Sequence, residues 1–331
     1  MSTVYSATFL VDSRCGRPRG GCPRYCSIEL FDSSFCSLGC AFGESAAFWT
    51  QTCEAVKRRR EDPFFNASMS RTLTNTRKEW RGQRAELFET RGQIVKDAVG
   101  ITDGTETQAV SVDAAVFVDG WQWDVIDVEQ PAGFIGLAPG PENLVLQAFA
   151  QQKLAAPVVS FSIFQPLPIT LGALSPNCTD WRHVPSLRDD RWVFRADRVE
   201  IAGFVFEDEL VQIVLDKQWS LVPFEVVRSL LEDGILFTSG KFEGEEWFMT
   251  YCNQTLDLNF WLGGHQFVVH LATFDELKAE CPAYLSSPLD YPVRRYTDIP
   301  QFLLGITFLQ SQCLAFDYST NSIALGALAT Q

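Results

Sequence analysis

The chain has 331 residues, 46% hydrophobic and 21% charged, which supplies ample apolar material for a core at a length that suggests two domains. Its formal net charge of −14 argues against nucleic acid as a partner, because phosphate binding needs clustered Lys and Arg. No run of about 18 apolar residues occurs, so no membrane span is expected.

From the N-terminus, the opening "MSTVYSATFLVDSRC" lacks the charged start and long apolar stretch of a signal peptide. Cysteines then crowd together: Cys15, Cys22, Cys26, Cys36, Cys40 and Cys53 precede Cys178, Cys252, Cys281 and Cys313. An even number, crowded in this way, suggests disulfides and an oxidising compartment. Zinc ligation by Cys22/Cys26 and Cys36/Cys40 is the competing reading. It is disfavoured by loose spacing and by the distance to His183, His265 and His270. Sequons at Asn66, Asn177 and Asn253 agree with a secretory route. "KRRR" at Lys57–Arg60 reads as a solvated loop in an acidic protein, and residues 44–84 read as a long polar loop or insertion.

Short apolar or alternating segments follow, broken by Gly, Pro, Asn and Asp. "AVSVDAAVFVD", "PVVSFSIF", "RADRVEIAGFVF", "LDLNFWLGGHQFVVHL" and "SIALGALA" predict strands, with "GGH" at 263–265 a hairpin turn. Helical spacing appears at 141–154, 222–234 and 274–280. The fold class expected is therefore mainly β with a few short helices. Trp121, Trp123, Trp181 and Trp192 read as packing residues, and the three histidines as strand or turn residues.

A weak internal duplication carries the functional reading. "IELFDSSFCSL" (28–38) and "VQIVLDKQWSL" (211–221) share an apolar strand, an Asp, two polar residues, an aromatic, small residues (two in the first, one in the second) and Leu. Two half-chains that each present one carboxylate from a strand end suggest a bilobal enzyme with its site between the lobes.

These residues, with others in order, resemble the pepsin-like aspartic peptidases, nematode members above all. "AGFIGLAP" (132–139) is similar to the family's D-G-I-L-G-L-A segment. "ITLGALSPNC" (169–178), "RWVFRADRVEIAG" (191–203) and "FLLGITFLQSQCLAFDYSTNSIALG" (302–326) resemble later family segments. The resemblance implies two lobes, 1–165 with the cysteine-rich expansion and 166–331. It also implies a peptide-binding cleft between them, a flap over it, and hydrolysis of internal peptide bonds by a water held between two aspartates. No cofactor or metal is implied. By resemblance Asp32 and Asp216 are the dyad, sharing one proton so that one acts as base while the other donates. Cys252–Cys281 is the expected C-terminal disulfide, with Cys178–Cys313 a second expectation.

The sequence departs from the family where chemistry is most demanding. After each Asp the family has Thr-Gly and then Ser or Thr. This chain has Ser33, Ser34 and Phe35, then Lys217, Gln218 and Trp219. Side chains replace the glycine that lets the backbone approach the carboxylate. Phe35 and Trp219 offer no hydroxyl, and an inward Lys217 ammonium would favour the doubly ionised, inactive pair. The flap Tyr position falls at about Ala85, with Phe88 and Glu89 nearby, and Ile306 stands where the family has Asp. The reading reached is a secreted or lysosomal-lumen, monomeric, catalytically impaired homologue that binds an extended peptide or protein in its cleft. An active acid endopeptidase using Asp32 and Asp216 is the alternative. A structural glycoprotein with a filled cleft is the third reading.

Overall fold

The computed structural model describes residues 9–12, 17–18, 28–31, 70–84, 88–102, 107–122, 133–140, 143–162, 169–215, 220–242, 245–272, 280–286, 300–310 and 312–329. Strands dominate these residues, and they group into two units, 1–155 and 156–331. The mainly β expectation is met.

The first unit is built on one seven-stranded sheet. Its strands are β1 (Phe9–Asp12), β2 (Arg17–Pro18), β3 (Ile28–Phe31), β4 (Thr74–Arg84), β5 (Phe88–Thr102), β6 (Thr107–Gln122) and β7 (Gly133–Gly136). They lie in the order β1-β7-β3-β6-β5-β4-β2. Helix α1 (Leu144–Ala150) packs its buried Leu144 and Ala148 against Val95, Val110, Val112 and Ala114. Its outer residues tie it to the same sheet: the Asp113 N–H donates to Gln147 Oε1 (3.1 Å) and the Ser111 N–H to Gln151 Oε1 (2.9 Å).

Helix α1 is shorter than the 141–154 pattern. Gln152 turns left-handed (φ 57°), and the Lys153 N–H reaches back to the Ala148 carbonyl, closing the end as a Schellman motif. The polar segment 44–84 also differs from expectation. Its last part, β4, is a strand of eleven residues paired antiparallel with β5. Polar residues suit it because its described side chains are mostly exposed, and backbone hydrogen bonds to β5 hold it in place. A bulge at Thr76–Arg77, with Arg77 at φ 60°, shifts its register.

The second unit holds three sheets. In chain order its strands begin with β8 (Val158–Phe161), β9 (Ile169–Leu171), β10 (Cys178–Pro185), β11 (Val193–Ile201), β12 (Phe204–Ile213) and β13 (Ser220–Leu221). After helix α2 (Phe224–Glu232) come β14 (Leu236–Phe242), β15 (Glu245–Tyr251), β16 (Asp257–Leu262), β17 (His265–His270), β18 (Glu280–Ala283) and β19 (Leu285–Ser286). The chain closes with β20 (Phe302–Leu304), a 3-10 turn (Ile306–Gln310), β21 (Gln312–Asp317) and β22 (Ser322–Leu328). Sheet orders are β10-β22-β21-β8-β9, β17-β16-β11-β12-β20-β13-β19 and β14-β15-β18.

Period-two burial marks β16 and β17, whereas β8, β21 and β22 are buried almost throughout. In β16, Leu258, Phe260 and Leu262 are buried and alternate with half-buried Asp257, Asn259 and Trp261. The β16–β17 hairpin turns on Gly263 (φ 57°) and Gly264 (φ 79°), the two left-handed positions a type I′ turn requires, as expected from "GGH". Helix α2 buries Val226, Val227 and Leu230, and ends where Gly234 turns left-handed (φ 67°). Trp192, Phe194, Phe260, Phe302, Phe308 and Phe316 are fully buried and form the aromatic heart of the unit.

Both disulfides expected in this half are present, Cys252–Cys281 and Cys178–Cys313. The expected helix over 274–280 falls largely on residues outside those described, and Glu280 itself opens β18.

Candidate active site

The second-half aspartate stands just beyond a buried apolar run. Val211, Ile213, Val214 and Leu215 are buried, and Asp216 follows them. Asp216, Lys217, Gln218 and Trp219 lie outside the described residues, but the chain on both sides of them is firmly held. On the near side, β12 runs parallel to β20, with Ile213 paired to Leu304. The Ile213 N–H donates to the Trp192 carbonyl (3.0 Å) and the Val214 N–H to the Leu304 carbonyl (2.9 Å). On the far side, β13 lies antiparallel to the same β20, with Leu221 paired to Leu303. The Ser220 N–H donates to the Tyr284 carbonyl (3.0 Å), and the Gly305 N–H donates to Ser220 Oγ (3.2 Å). Residues 216–219 thus connect two anchors fastened to one central strand.

Ser220 was not singled out from the sequence. Its only signal was a hydroxyl ending the "DKQWS" run, and its role depends on Gly305, 85 residues away. Thr307, in the 3-10 turn that follows Gly305, buries its hydroxyl with no hydrogen-bond partner among the described residues. Replacing Ser220 by alanine leaves the buried Gly305 N–H without its acceptor. The expected loss is roughly 1–3 kcal/mol of stability, read by denaturant unfolding. A loss within error would mean the hydroxyl is not what holds this side of the site.

In the first half, Asp32 directly follows β3 and lies outside the described residues, as does Phe35. The expected flap maps onto the β4–β5 hairpin. Ala85 lies outside the described residues, while Phe88 and Glu89 begin β5. Further along this hairpin, Asp97 is buried and its carboxylate accepts from Ser70 Oγ (2.9 Å), from Thr72 Oγ1 and from the Ala98 N–H (2.8 Å). Sequence reading missed this polar knot, which pins the segment before β4 onto β5.

The histidines stand apart from these features. Exposed His270 Nδ1 lies 2.8 Å from Asp257 Oδ1 on the neighbouring strand, His265 packs edge-on against Phe267, and His183 is exposed. Trp192 is a core residue, as expected.

Residues 43–328 match the profile of the eukaryotic aspartyl proteases. The chain belongs to this family. No curated protein matches the sequence. The residues matched by this pepsin-like aspartyl protease domain take in Asp216, the β4–β5 hairpin and the disulfides Cys178–Cys313 and Cys252–Cys281. The match begins eleven residues beyond Asp32 (43 − 32), so the family profile reaches the second-half aspartate and not the first.

Proposed function

We propose that this aspartyl protease homologue is catalytically impaired and holds an extended peptide or protein segment rather than cleaving it. The observation that carries this reading is the site around Asp216. Its aspartate is kept and its anchors are intact, yet Lys217, Gln218 and Trp219 fill the short connection where the family has small and hydroxyl residues. A shared proton is the condition for general acid–base work by a carboxylate pair, and a neighbouring ammonium opposes it. Extended-peptide recognition makes no such demand. It uses main-chain hydrogen bonds and alternating side-chain pockets.

The test uses oxidised full-length protein on a denatured protein substrate between pH 3 and 7, with Asp216→Asn and a statine-type peptide as controls. The expected result is no cleavage that depends on Asp216, alongside saturable binding of extended peptides. Cleavage abolished by both controls would establish the active endopeptidase instead.

Secretion or delivery to a lysosomal lumen fits the two disulfides. Asn177 and Asn253, both exposed, are the acceptors proposed for N-linked glycans, together with Asn66. A monomer is proposed as the working unit.

A further inference from the structure

The two units share a four-strand arrangement that reassigns the first-half carboxylate. In the second unit, β20 has β12 parallel on one side and β13 antiparallel on the other, and β13 is in turn parallel to β19. In the first unit, β7 has β1 parallel on one side and β3 antiparallel on the other, and β3 is in turn parallel to β6. Order and sense agree across all three pairings. Registers agree too. Glu29 pairs with Phe134 and Ala115, as Leu221 pairs with Leu303 and Ser286. Gly136, which ends β7, then corresponds to Gly305, which directly follows β20.

In this correspondence β3 matches β13, the strand after Asp216. The strand that matches β12, leading into Asp216, is β1, and β1 ends on Asp12. Val11 pairs with Ile135 at the level where Ile213 pairs with Leu304. Asp12 is one residue beyond that level and Asp216 three, so the halves differ by two residues. Asp32 follows the other end of the sheet. Asp12 is level with Gly136, whereas Phe31, just before Asp32, is one step beyond the Leu30–Gly133 pair. Four steps separate them, about 13 Å at the rise of a strand. The segment after Asp12 also reaches the flap hairpin, since Arg17 and Pro18 pair with Gln83 and Gly82 near its tip.

We propose that Asp12, not Asp32, is the first-half counterpart of Asp216. The cysteine-rich residues 13–27 then take the place of the short connection 214–219 of the second half. This assignment rests on the reading of the chain as a two-carboxylate protein, and it leaves the impairment in place. The residues after Asp12 are Ser13, Arg14 and Cys15, again without the family's Thr-Gly.

The test is amide hydrogen exchange on the oxidised full chain, read residue by residue. Residues 9–12 are expected to be protected like 133–136, because β1 pairs with β7 along its whole length. Exchange of residues 9–12 at the rate of free chain would remove β1 and overturn the assignment. The readout needs no ligand. Absent peptide binding with 9–12 protected defeats the proposed function alone, and peptide binding with 9–12 unprotected defeats the assignment alone.

Discussion

Replacing Cys178 and Cys313 by serine is expected to lower the thermal midpoint by about 10–20 °C, the largest loss from any single covalent change among the described residues. The bond closes a loop with a sequence separation of 135, against 29 for Cys252–Cys281. Loop-closure entropy grows slowly with length, giving about 5 kcal/mol for the first and roughly 3.5 kcal/mol for the second. A unit of this size loses about 2–4 °C per kcal/mol. Local structure supports the ordering. Cys178 and Cys313 sit on β10 and β21, the two strands that flank β22, so the bond clasps β22 from both sides. On that strand Gly326 has no room for a side chain. A Cβ there would lie 2.9 Å from the Thr179 carbonyl oxygen and 3.0 Å from the Trp181 ring. Differential scanning calorimetry of the two paired-serine variants decides the matter. A smaller drop for Cys178/Cys313 than for Cys252/Cys281 would show that the unfolded chain is not constrained in the way the loop lengths imply.

Trp192→Ala is the second large effect. Trp192 is fully buried, stacks on Phe316 with ring centroids 4.4 Å apart and planes 2° from parallel, and meets the edge of Tyr318 at 5.3 Å. Truncation removes the transfer energy of an indole and leaves a cavity, for an expected loss of about 3–5 kcal/mol. The position also matters for the site. The Trp192 carbonyl accepts the Ile213 N–H, three residues before Asp216. Equilibrium urea unfolding of Trp192→Ala and Trp192→Phe measures both parts. Phenylalanine should recover a substantial share, because it can still stack on Phe316. Equal losses for the two would place the cost in something other than lost packing.

Much of this architecture was legible because its signals are local. "GGH" turns where only residues tolerant of positive φ turn cheaply, and helix α2 ends at a glycine for the same reason. Alternation in β16 and β17 follows directly from one wet and one dry face. Other features were hidden because their causes are distant. β4 carries almost no apolar pattern, since a strand satisfied by backbone bonds to β5 needs none. Ser220 is one hydroxyl among many until Gly305 is beside it. The first-half aspartate is the sharpest case. "FLVD" and "IELFD" both end an apolar run on Asp, and Ser follows each. Sequence spacing favours Asp32, whereas the sense in which each strand pairs with β7 is fixed by residues more than 100 positions away.

The wedging of β20 between the two anchors of residues 216–219 has a consequence for how the chain matures. Asp216 is made long before Phe302–Leu304, and neither β12 nor β13 has its shared neighbour until those residues leave the ribosome. Late-closing, non-local pairing of this kind is slow. The surroundings of Asp216 are therefore among the last parts of the second unit to take shape. A nascent chain stopped before residue 302 carries β12 and β13 but not the strand to which both are fastened.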